Sequence, residues 1–205
     1  MLRGSTIQVF FEGIEKRIRR LREKYGIPTA EKGVPLFRPG VDESCVATVY
    51  PSNDIRAVGF KRAADKLVDI AVKEPGCVDY LVYSVGYLYR MYVELRLKVI
   101  IESAKQISKI GHNLEKLWEE AKPTMKSSSQ WFENQELEAV EENIQEFLKI
   151  DPVSDAFRYS TSMNGEPTLE NIRTVDLKHL KKVIDSISTS LEGSHTAIFE
   201  DRQRE

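Results

Sequence analysis

The sequence contains few of the residues on which several large classes of protein depend. Cysteine occurs twice in 205 residues, as Cys45 and Cys77, without a CxxC spacing or a neighbouring set of metal ligands. We therefore expect two free thiols, and no disulfide, metal site or cofactor. The eleven glycines are scattered, which excludes the glycine-rich loops that cradle phosphate in nucleotide-binding domains. The three histidines lie far apart, so the HExxH pattern of zinc hydrolases is absent as well.

Long apolar runs are also missing. The longest one, residues 80–93, has 14 residues and includes Arg90, whereas a membrane-spanning helix needs about 20 apolar residues. The first sixteen residues lack the apolar core and the small-residue cleavage site of a secretory signal. These absences predict a cytoplasmic protein without a membrane segment.

The overall charge is close to neutral. Charged residues make up 30% of the chain and hydrophobic residues 41%, which is typical of a soluble globular protein. The formal net charge of −2 excludes a globally basic nucleic-acid binder but leaves room for a local basic patch. The length predicts one domain, or one domain with an appendage.

The N-terminal quarter is predicted to form one basic helix followed by a long loop. Apolar residues recur every three or four positions from a cap at Ser5 or Thr6 to Tyr25. The stretch KRIRRLREK is strongly basic, and it supplies three candidate RNA contacts, Arg17, Arg19 and Arg20. Closely spaced prolines make residues 26–53 irregular. Within them, residues 45–50 (CVATVY) form either a short strand or part of a wrapping loop.

Helical periodicity dominates the rest of the chain. Five more helices are predicted, at 54–73, 79–109, 113–121, 133–149 and 175–191. The sequence is therefore assigned to the all-α class, as an antiparallel helical bundle over 54–192 with an extra N-terminal helix and long loop at 1–53 and a frayed tail at 193–205. The longest helix is expected to bend or break near Gln106. Pro123 is expected to lie in a linker after the fourth helix.

Aromatic and charged residues are concentrated on the longest helix. Its five tyrosines alternate with leucine and valine, which favours packing in the core or in a dimer interface over base stacking. They are Tyr80, Tyr83, Tyr87, Tyr89 and Tyr92. Arg90, Glu94 and Arg96 adjoin or directly follow this apolar run. They are open to three interpretations: an ordinary pair on the helix surface, a partly buried ion network, or a functional site.

Four blocks of the sequence together resemble a group of bacterial and archaeal HEPN-like proteins, over about two thirds of the chain. They are RAADKL at 62–67, DYLVYSVGYLYRMYVELRLK at 79–98, GHNLEKLW at 111–118 and DPVSDAFRYS at 151–160. The resemblance implies a small helical bundle that commonly dimerises. It also implies either a metal-independent endoribonuclease of a defence or toxin–antitoxin system, or a degenerate form that binds RNA or serves in assembly.

The resemblance further implies a catalytic pair. Active members carry an arginine followed, after four to six residues, by a histidine, and Arg173 and His179 have this spacing. In such a pair the arginine holds phosphate and the histidine transfers a proton at the ribose 2′-hydroxyl. His112, next to the central helix, is the alternative catalytic histidine, although a lone histidine at a helix junction most often has a structural role.

Phe157-Arg158-Tyr159 has two interpretations. Either the two rings insert into the bundle as a packed hook, with Arg158 outside or paired with the acidic helix at 133–149, or Arg158 joins Arg90 and Arg96 in a groove that binds RNA phosphate. At the level of the whole protein, two hypotheses remain. One is an RNA-targeting HEPN-like protein, and the other is a non-catalytic dimerising scaffold whose partner protein is encoded nearby. In both we expect a homodimer, because residues 80–93 have more apolar surface than one small bundle needs.

Overall fold

A computed structural model describes residues 4–26, 32–37, 46–104, 111–127 and 134–204, with side chains given for those between 15 and 196. The chain divides into two compact units, Met1–Val49 and Tyr50–Glu205. Within the described residues no β-strand is present, so the all-α prediction is confirmed. None of the helices in these ranges combines the length and apolarity that a membrane crossing requires.

The first unit contains the predicted basic helix. This helix, α1, covers Gly4–Tyr25. Gly26 follows it with a φ of 59°, the left-handed conformation that commonly ends a helix. The side chains of residues 15–25 are exposed. Residues 46–50 are irregular, which favours the loop interpretation of CVATVY, although its first residue, Cys45, lies outside the described ranges.

The described residues of the second unit form a bundle of five α-helices. They are α2 (Asn53–Lys73), α3 (Val78–Ala104), α4 (Leu114–Ser127), α5 (Asn134–Ile150) and α6 (Leu177–Arg204), with a short 3-10 helix at Pro75–Cys77. Ser52 caps α2, because its hydroxyl accepts a hydrogen bond from the backbone N–H of Ile55. Cys77 is a buried free thiol that donates to the carbonyl of Glu74.

Helix α3 lies at the centre of the bundle, as its apolar pattern predicts. It packs against α2, α4 and α6. Val85, Tyr89 and Tyr92 are fully buried, and the two tyrosines each find a polar partner for the hydroxyl group. Tyr89 donates to Asp65 over 2.7 Å, and Tyr92 donates to Glu192 over 3.1 Å. Burial of the apolar ring with a satisfied hydroxyl is the usual arrangement for a core tyrosine.

Two helices are longer than the sequence predicts. α4 continues through Pro123 to Ser127, because Ala121 and Met125 on either side of the proline are both buried and hold the two turns on the core. α6 continues to Arg204 instead of ending at residue 191. Ser194, in the predicted frayed tail, is buried and donates to the carbonyl of Ser190. The break expected near Gln106 lies outside the described residues.

Candidate functional site

The irregular segment between α5 and α6, residues 151–176, builds a cavity against the start of α3. The cavity measures about 780 Å³. From α3 it is lined by Asp79, Val82 and Tyr83, and from the segment by Arg158, Tyr159, Thr168 and Arg173, among others. We call it the arginine cavity.

Local hydrogen bonds fix the shape of this segment. The buried carboxylate of Asp151 accepts from the backbone N–H groups of Asp155 and Ala156, over 2.8 and 3.0 Å. Further along, the hydroxyl of Thr168 donates to the carbonyl oxygens of Ala156 and Tyr159. These bonds close the segment on itself, so the side chains that it carries are held in place without regular secondary structure.

Phe157 anchors the segment on the bundle. Its ring lies against Gly86 of α3, where the absence of a side chain leaves room for it. Tyr159 does not insert, since 57% of it is exposed. The packed hook expected from the sequence is thus made by Phe157 alone, with Arg158 outside.

The two arginines of the cavity have no acidic partner among the described residues. The Nε of Arg158 donates to the carbonyl of Ser154 over 2.8 Å, and its guanidinium lies 5.1 Å from the ring centre of Tyr159 and 5.7 Å from that of Tyr87. Arg173 is exposed and forms no hydrogen bond or ion pair within the described part of the chain. Together with Asp79, they give the cavity lining two positive charges and one negative charge.

Aromatic surface lies beside these charges. Tyr83 is 51% exposed although it sits on the central helix, and it lines the cavity together with residues of the 151–176 segment. The sequence assigned Tyr83 to packing, because the tyrosines of this helix alternate with leucine and valine. It also assigned Tyr159 to packing. The exposure of both rings depends on where the irregular segment crosses α3, and no periodicity encodes that position.

Arg90 and Arg96 lie elsewhere, inside an ion network. Arg90 and Glu94 are both completely buried, with Nη1 of the arginine 2.8 Å from the carboxylate. Lys98 approaches the other oxygen of Glu94 at 2.7 Å. Arg96 is buried between Asp54 and Glu192. The guanidinium groups of both arginines are therefore committed within the bundle, and we leave them out of the phosphate contacts that the sequence suggested.

His112 is attached to this network from the surface. Its Nδ1 lies 2.7 Å from Oε1 of Glu94, while 74% of its side chain is exposed. Its backbone carbonyl accepts a hydrogen bond from Arg90. Burial alone would raise the pKa of Glu94, but hydrogen bonds from Lys98, His112 and Arg90 hold that pKa below its usual value. A charged carboxylate thus fixes the imidazole ring and leaves its Nε2 edge toward solvent.

His179 and Arg173 line two different cavities that adjoin each other. His179 lines a second, smaller cavity, which shares Phe157, Ile172, Thr174 and Val175 with the arginine cavity. His179 occupies the first turn of α6, and its backbone N–H donates to the capping carboxylate of Asp176 over 3.0 Å. The two members of the Arg173–His179 pair are therefore placed in adjoining cavities.

The remaining sequence candidates, Arg17, Arg19 and Arg20, are exposed on α1, in the first unit. The described residues contain no group of three or more histidine, cysteine or acidic side chains arranged to hold a metal ion.

Comparison of the chain with known protein families, with curated proteins and with solved structures finds no match.

Proposed function

We propose that the protein is a HEPN-like, RNA-targeting protein that holds single-stranded RNA in the arginine cavity. The observation that carries this proposal is the meeting of Arg158 and Arg173, both exposed and neither paired with a carboxylate in the described residues, at one cavity with exposed tyrosine rings. Arg90 and Arg96, by contrast, are buried in ion pairs, so their guanidinium groups are not available to a phosphate.

The chemistry of the cavity suits a nucleotide chain. A guanidinium group binds phosphate through two parallel hydrogen bonds, which makes arginine the preferred residue for this contact. Single-stranded RNA also offers unstacked bases, and tyrosine rings bind these through their faces. Tyr83 of α3 and Tyr159 of the irregular segment supply such faces at the cavity.

In the catalytic form of the proposal, cleavage needs no metal. His179 takes the proton of a ribose 2′-hydroxyl, whose oxygen then attacks the adjacent phosphorus. The 5′-oxygen leaves and takes a proton from water, and a 2′,3′-cyclic phosphate remains on the upstream fragment. Arg173 stabilises the negative charge on the phosphate during this step. His112 is the second histidine able to transfer a proton, because its ring is oriented by a buried carboxylate. The setting we propose is a prokaryotic defence or toxin–antitoxin system, because that is what the resemblance implies.

A non-catalytic, dimerising scaffold is the second candidate function. Tyr80 and Val72 are exposed near the junction of α2 and α3, and such apolar surface is what a protein interface covers. The apolar surplus is smaller than the sequence suggested, because most of residues 80–93 are buried or half-buried within the chain itself. A homodimer therefore stays a prediction. Light scattering that gives a monomer mass over a wide concentration range would contradict it.

The proposed RNA binding is tested by fluorescence anisotropy with a labelled single-stranded RNA. Arg173→Ala is the most direct variant, since the side chain makes no bond within the described structure whose loss would disturb the fold. Arg62→Ala is the matched control, because Arg62 is an exposed arginine of the same unit outside the cavity. We expect weaker binding for Arg173→Ala and unchanged binding for Arg62→Ala. Equal affinities for both variants and the wild type would contradict the proposal.

A further inference from the structure

The second cavity, which adjoins the arginine cavity, differs from it in its charge. It measures about 310 Å³, and its floor is formed by buried or half-buried apolar side chains such as Phe147 and Ile184. Its exposed or half-exposed polar residues, which form the rim, are Asn143, Glu146, Asp176 and His179. Two carboxylates at the rim and an apolar floor disfavour a phosphate and leave space for a neutral, planar group.

Two side chains of α5 at this rim keep acceptor oxygens without a partner in the described structure. Glu146 forms no hydrogen bond or ion pair there. The Nδ2 of Asn143 donates to the carbonyl of Ala139 over 2.7 Å, and this leaves its Oδ1 free. The two residues are three positions apart on α5, so they lie on the same face of the helix. Two adjacent acceptors match a ligand group that carries two N–H donors.

We infer that this second cavity is a subsite for one unpaired RNA base with an exocyclic amino group, whose neighbouring phosphate lies in the arginine cavity. This inference rests on the proposed function and adds to that function the chemistry of the preferred substrate. The two cavities share four lining residues, Phe157, Ile172, Thr174 and Val175, and therefore adjoin each other. The apolar floor receives the faces of the base, and Glu146 and Asn143 accept the two amino hydrogens.

A comparison of cytosine with uracil distinguishes binding in this subsite from stacking on aromatic rings, which any base can do. The two pyrimidines are of the same size, but cytosine carries an amino group where uracil carries a carbonyl oxygen. Adenine shares the amino group of cytosine, although it also stacks more extensively, so cytosine against uracil is the decisive comparison. One good hydrogen-bonded contact to a base changes the affinity for the right base over the wrong one by about fivefold or more.

The experiment measures the affinity of the full-length protein for labelled C10 and U10 RNA. We expect C10 to bind at least about fivefold more tightly than U10. Glu146→Ala and Asn143→Ala should each reduce this ratio toward one, chiefly by weakening the binding of C10. The control is Glu142→Ala, which removes the same charge from an exposed position of α5 that does not line the cavity, and which should leave the ratio unchanged.

The outcomes separate the two proposals. If C10 and U10 bind equally well and Arg173→Ala weakens both, the base subsite is wrong and the RNA-binding function stands. A preference for C10 that survives both rim variants also overturns the subsite. If neither RNA binds, the proposed function and the subsite both fall.

Discussion

Gly86→Ala tests whether Phe157 holds the irregular segment 151–176 on the bundle. A Cβ atom added at Gly86 would lie 2.8 Å from Cζ of Phe157 and closer still to Cδ1 and Cε1. Three atoms of one ring are involved, so the ring has to move. Overpacking of this kind costs about 1–3 kcal/mol, whereas replacing glycine by alanine inside a helix gains about 1 kcal/mol. We therefore expect a net change between roughly neutral and about 2 kcal/mol of destabilisation.

Gly59→Ala is the matched control. Gly59 lies inside α2, is exposed, and would have no atom within 4 Å of an added Cβ. It should therefore show the helix gain of about 1 kcal/mol without the packing cost. Urea unfolding followed by circular dichroism measures both variants. Because displaced Phe157 also shifts the adjoining Arg158, Gly86→Ala should weaken RNA binding while Gly59→Ala leaves it unchanged. Equal stabilisation by the two substitutions would refute the contact between Phe157 and α3.

Three further predictions concern the ion network, the histidines and the basic helix. Glu94→Gln should destabilise the fold by about 3–5 kcal/mol at neutral pH, because it leaves Arg90 buried without a countercharge. The pKa of Glu94 is lowered by folding, so its contribution is present above the unfolded pKa and is lost as pH falls through the folded value. The difference in unfolding free energy between wild type and Glu94→Gln should therefore shrink on acidification, and a constant difference down to pH 3 would contradict this account. RNA cleavage in EDTA should leave a 2′,3′-cyclic phosphate, and His179→Ala should abolish this cleavage while the fold stays intact. If His179→Ala stays active and folded His112→Ala does not cleave, His112 is the histidine that transfers the proton. The triple variant Arg17→Glu/Arg19→Glu/Arg20→Glu reverses three exposed charges of α1 and should weaken RNA binding at low salt. An unchanged affinity would show that this helix does not contact RNA.

The helical architecture could be predicted from the sequence because periodicity and helix-stop signals are local. The end of α1 at Tyr25 and the limits of α2 follow from such signals. The burial of α3 follows from its apolar residues on every side. The continuation of α4 through Pro123 could not be predicted in this way, because it depends on Met125 reaching the core.

The candidate site was less accessible to sequence reasoning. Arg158 and Arg173 are fifteen residues apart in an irregular segment, and their meeting depends on turns at Ser154 and Leu169, which both adopt positive φ angles. Serine and leucine rarely adopt a positive φ, so the sequence does not predict these turns. The ion network around Glu94 was one of three interpretations of its sequence, and only the burial of Arg90 and Glu94 decides among them.

The salt dependence of RNA binding tests the central claim most directly, because it counts phosphate contacts. For single-stranded nucleic acid, the slope of log K against log salt changes by about 0.7 for each phosphate neutralised. We predict that the double variant Arg158→Ala/Arg173→Ala lowers the magnitude of this slope by about 1.4 relative to wild type, and that Arg62→Ala leaves it unchanged. A double variant that keeps the slope of the wild type, or a wild type that does not bind single-stranded RNA at low salt, would contradict the account.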